Sequence, residues 1–215
     1  MIELKSVSKS YNKNQVLCGV DFSISKGEHI FIHGASGIGK TTLLRLIAGF
    51  ELPDAGDIKI DGRSVIKPYM PPYKRGVGFA FQGSALFPNM NVFKNIIFPI
   101  HRQNKNYIKE RAEKLIDALS LTGLEKRNPS TLSGGQAKRV ELARALAAKP
   151  KILLLDEPLS NIDLELQERI LDFLLEDIQE FNAALIYVSH EKRESERIGG
   201  RTFVISDGRL EECGN

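Results

Sequence analysis

The spacing of apolar residues predicts strands near both ends of the chain. Residues 2–8 and 15–24 alternate apolar and polar side chains on either side of the turn-like Asn12-Lys13-Asn14. This alternation predicts an antiparallel pair of strands at a sheet edge. A closing hairpin is expected near the C-terminus, where two short strand-like segments flank Asp207-Gly208.

Between these hairpins, short apolar runs alternate with helical patterns. The runs predict strands at residues 28–33, 77–81, 151–155 and 184–188. The unbroken run at 151–155 is typical of a parallel strand buried on both faces. Periodic apolar residues and capping residues predict helices over 41–48, 107–121, 134–148 and 164–181. Strands and helices therefore alternate over most of the chain.

Composition limits the class of protein. The chain has 215 residues, 42% hydrophobic and 27% charged, as in an ordinary single globular domain. No apolar run approaches the ~18 residues of a membrane-spanning helix, and the N-terminus predicts a strand rather than a signal peptide. The net charge of +3 comes without a Lys/Arg run, so no nucleic acid is expected. Cys18 and Cys213 lack metal-ligand spacing, which favours reduced thiols in the cytosol.

A glycine-rich stretch follows the strand at 28–33 and precedes a helix: Gly34-Ala35-Ser36-Gly37-Ile38-Gly39-Lys40-Thr41. It matches the Walker A pattern of nucleoside triphosphate sites. Its glycines allow consecutive backbone N–H groups to turn inward toward a phosphate, and the helix directs its positive end at the anion. Lys40 would supply charge to the β- and γ-phosphates, and Thr41 a hydroxyl to Mg²⁺.

Two carboxylates follow the buried run at 151–155, namely Asp156 and Glu157. Ligands bind in open α/β sheets beyond the carboxyl ends of the strands, so both side chains are expected at such an edge. Asp156 is expected to hold the Mg²⁺ shell. Glu157, one residue further, is expected to polarise water as the general base.

The pentapeptide Leu132-Ser133-Gly134-Gly135-Gln136 opens another predicted helix. Ser133 is a natural N-cap, and the paired glycines leave the helix start bare enough for a phosphate to approach. The sequence thus predicts two anion-binding helix starts in one chain.

With a Walker A before it and the carboxylates after it, this pentapeptide resembles the signature of nucleotide-binding subunits of ABC transporters. The resemblance runs from Tyr11 to His190, and residues 71–88 resemble bacterial importer subunits for oxyanions, polyamines, thiamine, iron or sugars. It implies an α/β fold: a P-loop NTPase (RecA-like) core over 1–83 and 133–215, with an N-terminal antiparallel β subdomain. An α-helical subdomain would be inserted at 84–132. The C-terminal regulatory domain of many such relatives is not expected.

The resemblance also implies roles for single residues. Tyr11 would stack on adenine, Gln82 would contact Mg²⁺ and the attacking water, and His190 would contact the γ-phosphate. The segment 160–163 would touch a partner subunit. The expected catalytic residues are Lys40, Gln82, Glu157 and His190. The expected Mg²⁺ ligands are Thr41, Gln82 and Asp156. The expected nucleotide-binding residues are Tyr11, Gly34, Ser36, Gly37, Gly39, Lys40, Thr41, Thr42, Ser133, Gly134, Gly135 and Gln136.

The implied function is MgATP hydrolysis in an ATP-sandwiched dimer, formed by two copies or with a paralogue. ATP-driven dimerisation would energise solute import through integral membrane permease subunits, together with an extracytoplasmic solute-binding protein. The chain would lie in the cytoplasm, peripheral on the inner face of the cell membrane. No nucleic acid partner is implied.

The helical insert carries apolar residues with two interpretations: Phe87, Met90, Val92, Phe93 and Ile97. They form its core, or some of them line a groove in which a membrane subunit inserts a coupling helix.

Three functions other than import use parts of the same motif set. An ABC exporter subunit is the nearest. A soluble ABC ATPase of iron–sulfur assembly, DNA repair or translation is disfavoured by the single motif set, and by the lack of a long heptad insertion and of paired-cysteine zinc spacing. A small-molecule P-loop kinase has no use for the signature pentapeptide.

Overall fold

The computed structural model describes residues 1–12, 14–81, 83 and 85–213. Its strands are β1 (Ile2–Tyr11), β2 (Asn14–Ile24), β3 (His29–His33), β4 (Ala55–Ile60), β5 (Arg63–Ser64), β6 (Val77–Ala80), β7 (Ile152–Asp156), β8 (Ala184–Val188), β9 (Arg201–Ser206) and β10 (Arg209–Cys213). Its α-helices are α1 (Lys40–Ala48), α2 (Val92–Ile97), α3 (Lys105–Ala118), α4 (Gly134–Ala147), α5 (Leu164–Glu180) and α6 (Lys192–Ile198).

The first sheet is antiparallel, in the order β2-β1-β4-β5. β1 and β2 pair from Ile2 opposite Ile24 to Tyr11 opposite Asn14, which confirms the predicted N-terminal pair with β2 at the edge. The stretch Asp54-Ala55-Gly56 predicts a turn before a strand at residues 57–60, but β4 already begins at Ala55. The reason is that β1 continues to pair as far as Ser8 opposite Ala55.

The second sheet has the order β10-β9-β3-β8-β7-β6, and only its outer pair, β10 with β9, is antiparallel. All residues of β7 and β8 are buried, as expected for parallel strands covered on both faces. In the ladder, Asp156 lies opposite Val188, and Val188 lies opposite Ile32. The carboxyl ends of β3, β7 and β8 are therefore level, and the loops that follow them meet at one edge.

Two apolar cores cover the faces of this second sheet. On one face, α1 packs between the two sheets, where Leu43 and Ile47 share a core with Leu4 of β1 and Ile186 of β8. The other face is covered by α2, α3, α4 and α5. Alternate residues of β7 point to opposite sides, with Leu154 in the first core and Leu153 in the second.

In the region of the predicted helical insert, the structure has α2 and α3. The apolar face predicted over 107–121 is buried at Ala112, Leu115, Ile116 and Leu119. Of the remaining apolar residues in this region, Val92 is fully buried, whereas Phe87 stays 37% exposed. Among the described residues, no helix combines the length and the apolar character that a membrane crossing requires.

Candidate functional site

The glycine-rich loop joins β3 to α1 and leaves the start of that helix uncapped. Gly39, the N-cap residue, has a φ of 120° and no side chain to accept from the first backbone N–H groups. A Cβ at Gly39 would lie 2.8 Å from Cγ1 of Val16, and a Cβ at Gly34 3.0 Å from the carbonyl oxygen of Ile205. Only glycine fits this close approach, and the free N–H groups at the helix start are donors for an anion.

Polar groups converge on a cavity of about 250 Å³ at this helix start. It is lined by Ser36, Gly37, Gly39, Lys40, Thr41, Thr42, Asp156 and Glu157. The Lys40 ammonium donates to the carbonyl oxygens of Gly34 (2.7 Å) and Ala35 (2.8 Å), which holds its charge at the loop. The cavity thus combines backbone donors, one cation and two carboxylates.

Thr41 and Asp156 meet in this cavity. The Thr41 hydroxyl donates to Oδ2 of Asp156 at 2.6 Å. Burial raises the pKa of the Asp156 carboxyl; the Thr41 hydrogen bond opposes this rise and the charge of Glu157 adds to it. A buried carboxylate beside a like charge is stabilised by a cation. A hydroxyl and a carboxylate oxygen side by side are also the hard ligands that Mg²⁺ prefers.

The backbone of Glu157 is held in a left-handed conformation, with φ at 48°. Its N–H donates to the carbonyl oxygen of Val188 at 2.9 Å. Its carbonyl oxygen accepts from Nζ of Lys138 and from Oγ of Ser160, both at 3.1 Å. A positive φ in a residue with a side chain persists only where surrounding contacts impose it, and here the contacts come from β8, α4 and the loop that follows β7. They aim the carboxylate into the cavity.

His190 follows β8 and completes this side of the site. Its Nδ1 lies 3.7 Å from Oε1 of Glu157, and its Nε2 lies 3.3 Å from Oε1 of Glu191. The imidazole side chain is 62% exposed, so it can reach a ligand above the cavity. Close to this histidine, the Glu194 carboxyl faces the hydroxyls of Ser189 and Tyr187, and burial raises the pKa of that carboxyl.

Tyr11 lies at the end of β1, beside α1. Its hydroxyl donates to Glu51 and lies close to Thr42, and the residue is 40% exposed. Burial and the hydrogen bond to Glu51 raise the pKa of the Tyr11 phenol. The ammonium of Lys9 lies 5.5 Å from the ring centroid. The ring is therefore fixed in position with a surface open to solvent.

The start of α4 is closed by its own residues. Oγ of Ser133 accepts from the N–H of Gln136 at 3.2 Å, and the N–H of Ser133 donates to Oε1 of Gln136 at 3.0 Å. This reciprocal capping box fixes both side chains. The N–H groups of Gly134 and Gly135 remain as donors. None of the four residues lines the cavity at α1.

The structure thus brings Ser36, Gly37 and residues 39–42 together with Asp156, Glu157 and His190, and it places 133–136 outside their cavity. Gln82 lies outside the described residues. Sequence reasoning identified Ser133 as a cap but missed the reciprocal role of Gln136, although the Ser-x-x-Gln spacing was a readable signal. It also missed Lys138, because the sequence of a helix does not show which loop a lysine side chain on it will contact.

An aromatic groove of about 350 Å³ lies where the helical region meets the second sheet. Its lining includes Phe50, Phe79, Phe81, Phe87, Phe98 and Arg144. Phe50 is half exposed, which leaves an unusual amount of aromatic surface in contact with solvent. We call this surface the aromatic groove.

Comparisons with known sequences point to one family. A family model described as ABC transporter matches residues 17–160. The spermidine/putrescine import ATP-binding protein PotA of Thermotoga maritima is 41% identical over 99% of this chain and 58% of its own length. The sulfate/thiosulfate import ATP-binding protein CysA of Bacillus cereus is 39% identical over 99% of this chain and 61% of its own. The chain spans about three fifths of the length of these curated relatives.

Solved structures match over nearly the whole chain. The dimeric ATP-binding cassette MJ0796, in a post-hydrolysis state with ADP and Pi, is 29% identical, with a TM-score of 0.88 over 99% of this chain and 98% of its own. Another dimeric structure of MJ0796, described as a bacterial ABC transporter cassette, is 30% identical, with a TM-score of 0.90 over 98% of this chain and 97% of its own. These neighbours confirm the predicted fold class.

Proposed function

Because the chain belongs to the ABC transporter family, as its match over residues 17–160 shows, we propose that it binds and hydrolyses MgATP to drive solute import. It would do so as a dimer, coupled to separate membrane permease subunits. The observation that carries the proposal is the single cavity in which Lys40, Thr41, Asp156 and Glu157 converge. Relatives named for polyamine and sulfate import support the transport assignment.

The chain's own residues would perform the reaction on ATP as follows. The loop N–H groups and Lys40 bind and orient the phosphates, and the exposed ring of Tyr11 stacks on adenine. Glu157 accepts a proton from the attacking water, since its backbone contacts aim its carboxylate into the cavity. His190, near Glu157, donates to the γ-phosphate. Catalysis then rests on positioning and on charge stabilisation.

Mg²⁺ would be held by Thr41 and Asp156, with Gln82 as a further expected ligand. In the described part of the chain, no cluster of three His, Cys, Asp or Glu side chains is arranged to hold a metal ion. This fits Mg²⁺, which is usually bound through one or two protein ligands together with phosphate oxygens and water. The ion would neutralise charge on the phosphates.

The dimer would complete the phosphate site. The N–H groups of Gly134 and Gly135 lie outside the cavity of their own chain. A second copy, or a paralogue, placed head to tail would bring these donors over the γ-phosphate. Residues 160–163 would touch the partner. The dimeric cassette structures of MJ0796 support a dimer.

The aromatic groove would receive the permease. Phe87, Phe98 and their aromatic neighbours offer an apolar surface, and Arg144 adds a cation at its edge. An amphipathic helix of a membrane subunit fits such a groove. In this proposal the chain lies at the cytoplasmic face of the membrane, with the helical region of residues 84–132 toward the permease. An extracytoplasmic protein would deliver the solute.

Dimer formation tests the proposal in solution. The Glu157→Gln variant is expected to bind MgATP without hydrolysing it and to elute as a dimer in size-exclusion chromatography. The same variant with MgADP is the control and should elute as a monomer. A monomer in saturating MgATP would contradict the ATP-sandwiched dimer.

The transport role needs a separate experiment. Tagged Glu157→Gln protein would be purified with MgATP from detergent-solubilised native membranes, and bound proteins identified by mass spectrometry. We expect to recover a multi-spanning permease. Recovery of a solute-binding protein together with it would favour import over export. Recovery of soluble partners only would contradict the transport role but not the ATPase activity. A screen for phosphate acceptors would show whether the protein is instead a kinase.

A further inference from the structure

One face of α4 carries three polar side chains that each reach a different loop. They are Lys138, Glu141 and Arg144, spaced three residues apart, so they follow one another along the helix surface. We call this set the α4 stripe. It begins one turn after the signature glycines and ends at the aromatic groove.

At its N-terminal end, the stripe fixes the catalytic loop. Nζ of Lys138 donates to the carbonyl oxygen of Glu157 at 3.1 Å and also contacts Oγ of Ser160. Glu157 is the residue held at a φ of 48°. A shift of Lys138 would therefore change the backbone that aims the Glu157 carboxylate.

In the middle of the stripe, Glu141 holds the chain that leads into the groove. Its side chain is almost fully buried, 1% exposed, and Oε1 accepts from the N–H of Ala85. Burial raises the pKa of the Glu141 carboxyl, while the Ala85 hydrogen bond and the charges of Arg144 and Lys138 oppose this. Burying a carboxyl group costs free energy, so Glu141 does more than fill space in the core.

At the C-terminal end, Arg144 holds Phe87. Its guanidinium lies 5.0 Å from the centroid of the Phe87 ring. NH1 of Arg144 also contacts Oδ1 of Asn95 at 3.4 Å, and this fully buried amide bonds the N–H and the carbonyl of Phe87. The position of the Phe87 ring is therefore tied to α4.

We propose that Lys138, Glu141 and Arg144 are positioning residues through which α4 couples the aromatic groove to the backbone of Glu157. The inference rests on the proposed function, which gives the groove and the cavity their roles. Because α4 is one continuous helix, a displacement of Phe87 is carried to the Glu157 carbonyl. The coupling is reciprocal, so nucleotide binding moves the groove.

A single fluorophore can report this movement, since the chain contains no tryptophan. Phe87→Trp is introduced into Glu157→Gln protein and its emission followed during MgATP titration. We expect a shift in the parent. Glu141→Leu, which removes the acceptor for Ala85, should lose more than half of the shift, whereas Glu141→Gln, which keeps an acceptor oxygen, should retain it.

Lys138→Met tests the other end of the stripe without touching the groove. It should also lose more than half of the shift, and it decides the question if circular dichroism shows that Glu141→Leu fails to fold. The matched control is Lys109→Met, a lysine 74% exposed on α3, which should change nothing. With Glu157 intact, Lys138→Met should lower kcat by about 2- to 30-fold at unchanged KM for MgATP.

Binding of a fluorescent ATP analogue is measured on the same samples. If the analogue binds but the emission does not shift in the parent, or shifts equally in all variants, the coupling is overturned and the proposed ATPase stands. If the analogue does not bind to the parent, the proposed function fails and the coupling falls with it.

Discussion

Two helices of this chain begin at glycine-rich turns, and their first turns are built in opposite ways. α1 follows Gly39, which has no side chain to cap the helix. α4 follows Ser133, which forms a complete capping box with Gln136. Since the first N–H groups of any helix lack intrahelical partners, α1 leaves its donors to a ligand, whereas α4 satisfies some of them itself.

The surroundings of the two helix starts differ as well. The start of α1 opens into a cavity that holds Lys40, Asp156 and Glu157. The start of α4 lies beside the backbone of Asn161, with two glycine N–H groups left as donors. We infer that the first helix start carries the chemistry and the second adds only donors. In the proposed dimer, the second helix start would come from another molecule.

The largest expected effect concerns the chemistry at α1. Glu157→Gln should lower kcat by about 10²–10⁴-fold, because it removes the proposed general base. Steady-state ATPase measurements check this. The matched control is Glu176→Gln, an exposed glutamate of α5, which should keep full activity. Full activity in Glu157→Gln would place the general base elsewhere.

The next effect concerns what holds α4 in place. Arg111 donates to both carboxylate oxygens of Asp177 at 2.6 Å and to the carbonyl oxygen of Leu146 at 2.7 Å, so it joins α3, α5 and the end of α4. Arg111→Met leaves the Asp177 carboxylate buried without its main partner. Unfolding free energy should fall by about 3–5 kcal/mol in urea titrations.

The matched control for this pair is Arg197→Met. Arg197 pairs with Asp172, but both side chains are 48% exposed, so the loss should stay below about 1 kcal/mol. Equal losses in the two variants would mean that burial does not set the strength of the Arg111 pair.

A weaker effect is expected from the glycines at the start of α4. A Cβ at Gly134 would meet no atom within 4 Å of its ideal position in the single chain. Gly134→Ala should therefore fold normally and bind nucleotide as a monomer. Dimerisation in MgATP should still weaken by about tenfold, or roughly 1.4 kcal/mol, because the methyl group meets the partner's nucleotide. Sedimentation measures the strength of dimerisation. Unchanged dimerisation would contradict the proposal that residues 133–136 cover the γ-phosphate bound by the partner.

The smallest effect tests the capping box itself. Ser133→Ala should cost about 1 kcal/mol of stability, whereas Ser133→Gly should cost only a few tenths. For a chain of this length, about 1 kcal/mol corresponds to a Tm shift of roughly 2–4 °C in thermal unfolding. If Ser133→Ala melted like the parent, the start of α4 would not depend on its cap, and the contrast with α1 would weaken.

The predicted elements were largely confirmed because they depend on local patterns. The alternation of apolar and polar residues predicted the pairing of β1 with β2. The helix predicted over 41–48 does end at Ala48, because Gly49 follows it with a φ of 86°. Boundaries shifted where pairing decided them: β4 already begins at Ala55, and β1, predicted over 2–8, continues to Tyr11. Pairing energy comes from the neighbouring strand, which a local pattern does not contain.

The candidate site was predictable to the extent that it is contiguous in sequence. Residues 34–42 and 156–157 stand in short motifs, so their chemistry could be proposed from residue type and spacing alone. The hold of Lys138 on the Glu157 carbonyl and that of Glu141 on Ala85 join segments distant in sequence. No spacing along the chain encodes such contacts, because they depend on how α4 crosses the sheet.

The sequence by itself determined the order of strands and helices, the P-loop with its glycines, and the presence of two helix starts suited to anions. Tertiary structure decided that only the start of α1 meets Asp156 and Glu157, since the parallel register levels the ends of β3, β7 and β8. It also decided that the start of α4 lies outside that cavity. The physical reason is that motifs fix which groups are available, whereas packing and register fix which groups meet.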